Sequence, residues 1–213
     1  MLPFFLIVFI IFIISIIWLW YMGALNQVEM KNKRLDRKLF LYREYVGQYK
    51  NIGSVYENMG KNLMHLFSPS KEAAGIYYDN PRVVQDPNSC RAVCGLMLQE
   101  EDREKAESFA AANPVYKLRE LPEAECIYTT YPYKSKMSFI FLVARVYPEI
   151  KAYVLKNIVK DPSEIRGIME IYHMDIPKPC IEVAVPYGQG TDGYCLSCQP
   201  EPQHRYVDNK KLN

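Results

Sequence analysis

The chain has 213 residues, with 26 Lys and Arg against 24 Asp and Glu and a formal net charge of +2. A balance so close to neutral gives no reason to expect a nucleic-acid surface. Its length leaves room for about one domain once an apolar N-terminal run is set aside.

That run, residues 2–25, contains no charged side chain and is dominated by Ile, Leu and Phe. As a helix it would extend about 36 Å, enough to cross a bilayer. Ser15 is its only clearly polar member, and Trp18, Trp20 and Tyr21 lie near its far end, where amphipathic rings suit headgroup level. A cleaved signal peptide is the alternative, with Gly23-Ala24 as a small-residue pair, but the basic leader is missing and the apolar stretch is long for one. Lys31, Lys33, Arg34, Arg37 and Lys38 follow the span. Basic flanks stay cytosolic, so the expected topology is a luminal N-terminus and a cytosolic domain. The same cluster suits anionic lipid headgroups.

Residues 26–38 read as a polar, basic linker, and 39–187 as one domain. A first strand is expected over 39–49, where Tyr42, Tyr45 and Tyr49 suit extended backbone. Val55, Met59, Leu63 and Leu66 then recur at helical spacing until Ser68-Pro69. Residues 76–78 and 91–98 read as two strands, separated by turns at Asn80-Pro81 and Asp86-Pro87. Residues 100–112, rich in Glu, Lys and Ala, read as a solvated helix inserted between two halves. A strand over 126–133 follows, then a helix over 138–158 that buries Phe139, Val143, Val146, Ile150 and Val154 and is kinked or restarted by Pro148. Strands over 168–172 and 180–187 close the domain, and 188–213 reads as a flexible tail. The order strand, helix, strand, strand thus occurs twice, with Tyr42 and Tyr45 echoed by Tyr128 and Tyr131. The predicted architecture is α+β, with one merged sheet, both helices on one face and the other face free to form a groove.

Cys90, Cys94, Cys126, Cys180, Cys195 and Cys198 would form a disulfide framework in a secreted chain. In the cytosol they are expected reduced. Cys195 and Cys198 have C-x-x-C spacing, but a second pair at zinc spacing is missing and His204 stands alone, so buried structural thiols are expected, with no metal and no cofactor.

Tyr77-Tyr78-Asp79-Asn80-Pro81, followed by Pro87, Cys90-Arg91 and Gly95, resembles the testis-expressed protein 264 family. The resemblance continues through Thr129-Thr130-Tyr131-Pro132-Tyr133, Ala144-Arg145-Val146-Tyr147-Pro148 and Met169-Glu170-Ile171-Tyr172. It implies a gyrase-inhibitor-like domain of two strand-helix-strand-strand units, held by an N-terminal transmembrane helix on the cytosolic face of the endoplasmic reticulum. It further implies a non-enzymatic reticulophagy receptor or adaptor that binds autophagy modifiers and recruits the valosin-containing segregase ATPase. The family's receptors carry a long acidic tail with a modifier-binding motif, whereas this chain stops at Asn213, so modifier binding is expected to be weak. Tyr147-Pro148-Glu149-Ile150 has the letters of such a motif, but Ile150 falls on the buried stripe of a helix and is unavailable for strand addition.

Gyrase-inhibitor-like domains bind cationic or aromatic molecules in a groove, often through a carboxylate. Glu182, which precedes alternating aliphatics and a Pro, is the first choice here and Glu170 on the neighbouring strand the second, with Tyr45, Tyr131 and Tyr172 as a cage for a cation. Strand register alone leaves open which face Glu182 takes. The same carboxylate with a Tyr would serve a hydrolase, the alternative reading. His65 reads as a structural histidine on the first domain helix, and His173, at a strand end, says nothing further. Lys210-Lys211-Leu212-Asn213 resembles a dilysine retrieval signal, read by coat proteins at a free C-terminus.

Overall fold

The structure, a computed structural model, describes residues 2–68, 72–158, 165–174, 176–197 and 201. The apolar run forms α1 (Leu2–Tyr21), with residues 4–21 reaching a mean hydropathy of 2.8 and none of that window buried in the protein. Beyond it lie β1 (Lys31–Leu35), β2 (Lys38–Val46), α2 (Gly53–Leu63), β3 (Glu72–Tyr77), β4 (Arg91–Leu98) and α3 (Arg103–Ala112). The second half holds β5 (Lys117–Leu121), β6 (Ala124–Pro132), α4 (Ser138–Phe141), α5 (Tyr147–Asn157), β7 (Ile168–His173) and β8 (Cys180–Tyr187).

All eight strands form one antiparallel sheet in the order β1-β6-β8-β7-β3-β4-β2-β5. Each half contributes a strand-helix-strand-strand unit, and the units join where β3 pairs with β7. The flanking strands are exchanged: β1 precedes β2 yet pairs with β6, and β5 precedes β6 yet pairs with β2. Asp36 and Arg37 are all that separate β1 from β2, although the two strands belong to opposite ends of the sheet. Two residues reach only about 7 Å, so the sheet must curl until its ends approach. Leu35, Leu121 and Met97 accordingly share one core cluster inside the curl.

Side chains alternate across each strand. Leu39 and Leu41 on β2, with Cys94, Leu96 and Leu98 on β4, pack outward against Val55, Met59 and Leu63 of α2 and Ala106 of α3. Ile181, Val183 and Val185 of β8 pack outward against Leu142, Val146, Ile150 and Val154. Phe40, Tyr42, Ile76, Val93, Met169 and Ile171 point inward.

Several expectations are corrected. The 26–38 segment is not a free linker: its second part is β1, whose Lys-Asn-Lys-Arg run gave no apolar period to read, and Leu35 is buried. β5 was likewise hidden in a polar stretch. The first expected strand ends at Val46 rather than 49, and α2 ends at Leu63 rather than at Ser68-Pro69. α3 is not merely solvated, since Phe109 packs edge-on against Phe67. The helix over 138–158 does not stop at Pro148: α4 runs without a gap through a π turn at Leu142–Val146 into α5, and that irregular turn lies just before the proline, which cannot donate an N–H to it. Within that helix Val143 is exposed rather than buried.

The expected tail also needs revision. Residues 188–197 form a strap over the inward face, with a 3-10 turn at Thr191–Tyr194. Tyr194 is 2% exposed, and its hydroxyl donates to the Pro122 carbonyl at 2.8 Å. The Tyr78 hydroxyl donates to the Tyr194 carbonyl and accepts from the Leu196 N–H, both at 3.0 Å. The face opposite the helices is therefore no open groove. Lys210 and Lys211, Cys198 and His204 lie outside the described residues.

Candidate functional site

Glu170 sits in the middle of β7, directly opposite Gly75 of β3 at the seam between the halves. Residues 168, 170 and 172 face the helices, so the Glu170 carboxylate enters the layer between helices and sheet, where it is 4% exposed. The Tyr147 hydroxyl, at the start of α5, donates to its Oε1 at 2.5 Å, and the Tyr172 hydroxyl to its Oε2 at 2.5 Å. Tyr77 on β3 shares a hydrogen bond with Tyr172, Oη to Oη 2.9 Å. Tyr56 projects from α2 over Gly75, its ring edge-on to Tyr172 with centroids 5.1 Å apart. Its hydroxyl is buried beside this cluster with no hydrogen bond of good geometry.

Burial pushes the Glu170 carboxyl above the ordinary carboxylate value, and the tyrosine hydrogen bonds oppose that rise without cancelling it. Burial likewise drives Tyr56, Tyr77, Tyr147 and Tyr172 well above the usual phenol range, so all four are neutral donors. Among the described residues no Lys, Arg or His forms a salt bridge with Glu170. The arrangement is a deep carboxylate held by tyrosine hydroxyls among aromatic rings, with no salt bridge among the described residues.

Glu182 has the opposite setting. Positions 180, 182, 184 and 186 of β8 face inward, away from the helices. There Lys33 of β1 contacts Glu182 Oε1 at 2.5 Å, and His173 Nε2 lies 3.7 Å from Oε2. His173 Nδ1 is 3.0 Å from Glu72. Burial works against ionisation of Glu182, but the His173 and Lys33 contacts outweigh it and hold the carboxyl below its usual value. Hydrogen bonds to Glu182 and Glu72 raise His173 to about 9. A cavity of about 160 Å³ adjoins these charges, lined by Lys33, Glu72, Met97, Met169, His173 and Tyr194 among others.

The structure thus brings Glu170 and Tyr172 together and separates the other residues expected beside them. Tyr45 faces the helices at the β2 end, where its hydroxyl donates to the Gln48 carbonyl. Tyr131 is buried at the end of β6, donating to the Met22 carbonyl at 3.1 Å. Glu182, the expected first choice, is paired with Lys33 and His173 of its own chain, whereas Glu170 forms no salt bridge among the described residues. Tyr56, Tyr77 and Tyr147 were missed as site residues, since convergence from three elements leaves no periodic trace. The Tyr147-Pro148-Glu149-Ile150 letters are occupied structurally: Tyr147 binds Glu170 and Ile150 is 0% exposed.

No family model matches the sequence. A testis-expressed protein 264 homolog from Mus musculus is 25% identical over 138 residues, and testis-expressed protein 264 from Homo sapiens is 24% identical over 139. Each match covers 63% of this chain but only 41% and 42% of the respective relative, so the chain aligns with less than half of either protein. Over that stretch the chain is similar to testis-expressed protein 264. Of the segments that carry the resemblance to this testis-expressed family, three supply the ring: Tyr77, Tyr147, and Glu170 with Tyr172. Asp79, from the first of them, holds Arg91 through a backbone bond at 2.7 Å and side-chain bonds at 3.0 and 2.9 Å, pinning β3 to β4.

Solved structures share the fold. The EcmrR C-terminal domain superposes with a TM-score of 0.52 at 10% identity, covering 76% of this chain and 98% of that domain. SAV2435, determined bound to tetraphenylphosphonium, superposes at 0.51 with 12% identity, covering 77% and 96%. At such identity the likeness is one of fold: the chain has the gyrase-inhibitor-like arrangement of two strand-helix-strand-strand units.

Proposed function

We propose that the chain is a membrane-tethered binding domain for a lipophilic or aromatic cation, held at Glu170 among Tyr56, Tyr77, Tyr147 and Tyr172. The observation that carries this reading is a buried carboxylate with aromatic neighbours and no salt bridge among the described residues. A carboxylate buried without a counter-charge costs free energy, and an organic cation supplies that charge while its apolar body meets the rings. SAV2435, of the same fold, supports the class of ligand by the compound it was determined with. The layer over Glu170 is closed by Tyr56, so entry requires α2 to shift. The role is binding rather than catalysis: the tyrosines are neutral donors that orient the carboxylate, and the ligand is retained unchanged.

The family relationship supports placement in the reticulum membrane and an adaptor role in selective autophagy, with ligand occupancy as the input. Partners of that role would meet the outer surface rather than the Glu170 ring. Titration of the full chain in detergent with tetraphenylphosphonium tests the central claim. Saturable binding that weakens at least about tenfold in Glu170→Gln, equivalent to about 1.4 kcal/mol, is the expected result. Equal affinity in wild type and Glu170→Gln would remove the assignment.

A further inference from the structure

Where α1 ends, the chain does not leave the membrane on a stalk. Met22 and Ala24 are buried against the domain, and the Met22 carbonyl accepts the Tyr131 hydroxyl. Gly23 adopts φ 79°, and a side chain there would meet Pro132 at 2.7 Å. Lys134 lies 5.3 Å from the Tyr21 ring centroid. Phe141 of α4 meets Trp18 edge-on, with centroids 6.0 Å apart.

That last contact sets a depth. Trp18 is three residues inside the end of α1, about 4.5 Å back along the helix axis. A side chain packed on Trp18 therefore lies at or below the headgroup level that Tyr21 marks. Around Phe141 the α4 region exposes Met137, Ile140 and Val143, spaced by three along one helical face. The β7–β8 connection lies at the same end of the sheet, since the Tyr133 N–H donates to the Pro179 carbonyl at 2.9 Å, and it exposes Met174 and Ile176. Beyond Leu25, the other exposed large apolar side chains among the described residues, Val46 and Val115, belong to the opposite half of the sheet. Lys134, Lys136 and Lys178 are exposed beside the patch, where they suit lipid phosphates.

We infer that Met137, Ile140 and Val143, with Met174 and Ile176, form a bilayer-docking surface that seats the domain in the leaflet reached by the Tyr21 end of α1. The inference rests on α1 crossing a bilayer. It explains an apolar patch that would otherwise face water, and it is continuous with the contact between α1 and the domain. The domain then has a fixed orientation on the membrane.

Tryptophan depth measurement tests it. Trp18→Phe with Trp20→Phe leaves no native tryptophan while keeping an aromatic ring against Phe141. Ile140→Trp or Val143→Trp is added singly, and the full chain is reconstituted in phosphatidylcholine–phosphatidylserine vesicles with or without acyl-brominated phosphatidylcholine. Expected are blue-shifted emission and quenching by roughly half or more at both positions, with Val115→Trp unquenched. Alkaline carbonate extraction separates the two premises. A chain that resists extraction but shows no quenching at either position overturns the docking surface while leaving the anchor intact. Release of the chain by carbonate overturns both.

Discussion

Gly75 of β3 and Glu170 of β7 face each other across the central seam of the sheet, and the missing side chain at Gly75 is the space into which Tyr56 descends. A Cβ at Gly75 would collide with the Tyr56 hydroxyl. Gly75→Ala is therefore expected to lift Tyr56 and α2 at a cost of about 1–3 kcal/mol. Denaturant unfolding of Gly75→Ala and of Gly75→Ala with Tyr56→Phe checks it. The second substitution should recover part of the loss, and an unaltered midpoint in the single variant would contradict this packing.

The two glutamates should separate cleanly by substitution. Glu170→Gln should weaken tetraphenylphosphonium binding at least about tenfold without a large stability loss, because the charge it removes has no salt-bridge partner among the described residues. Glu182→Gln leaves affinity unchanged but lowers stability by about 1–3 kcal/mol, since Lys33 and His173 lose their shared acceptor. Calorimetric titration and urea unfolding of both variants decide it, and the reverse pattern would restore Glu182 as the site.

His173 predicts a pH dependence on the alkaline side. Its folded value is raised to about 9 from an ordinary 6.5, so its stabilising contribution is complete below about pH 6.5 and lost as pH rises through about 9. Glu72 and Glu182 are lowered, so theirs are present above about 4.5 and lost as pH falls through their folded values. The charge chain Lys33, Glu182, His173, Glu72 is thus strongest near neutrality. In unfolding measurements, His173→Gln should flatten the decline between pH 6.5 and 9 that wild type shows. Parallel curves would assign that decline to other groups.

The strap over the inward face is held by two tyrosines. Tyr194→Ala removes a buried ring and its bond to Pro122, at an expected cost of about 3–5 kcal/mol. Tyr78→Phe deletes the bonds to Tyr194 and Leu196 for about 1–2 kcal/mol. Hydrogen exchange in Tyr78→Phe should accelerate at the Leu196 amide while the β3 amides stay protected. Equal acceleration at both would mean that the strap has no separate stability.

Much of this molecule is legible in the chain because local periodicity carries it. The charge-free run of residues 2–25 announces α1, the continuous apolar run in residues 92–98 announces β4, and Pro148 announces the irregular turn before α5, since each depends on a residue's own sequence neighbours. The repeated strand-helix-strand-strand order is visible for the same reason. β1 and β5 are not visible: both are polar edge strands whose pairing partners lie some ninety and eighty residues away, and the partner supplies the order that the segment lacks. Tyr194 and Leu196 look like tail until the curl of the sheet offers them an apolar face. The choice between Glu170 and Glu182 belongs wholly to tertiary structure. Both sit mid-strand in similar apolar company, and a strand places its alternate residues on opposite faces without saying which face the helices will cover. Folding sends Glu182 toward Lys33 and His173, and Glu170 under α2 and α5 among neutral tyrosines. Long-range packing alone makes one carboxylate a structural ion pair and buries the other among tyrosine hydroxyls, with no salt bridge among the described residues.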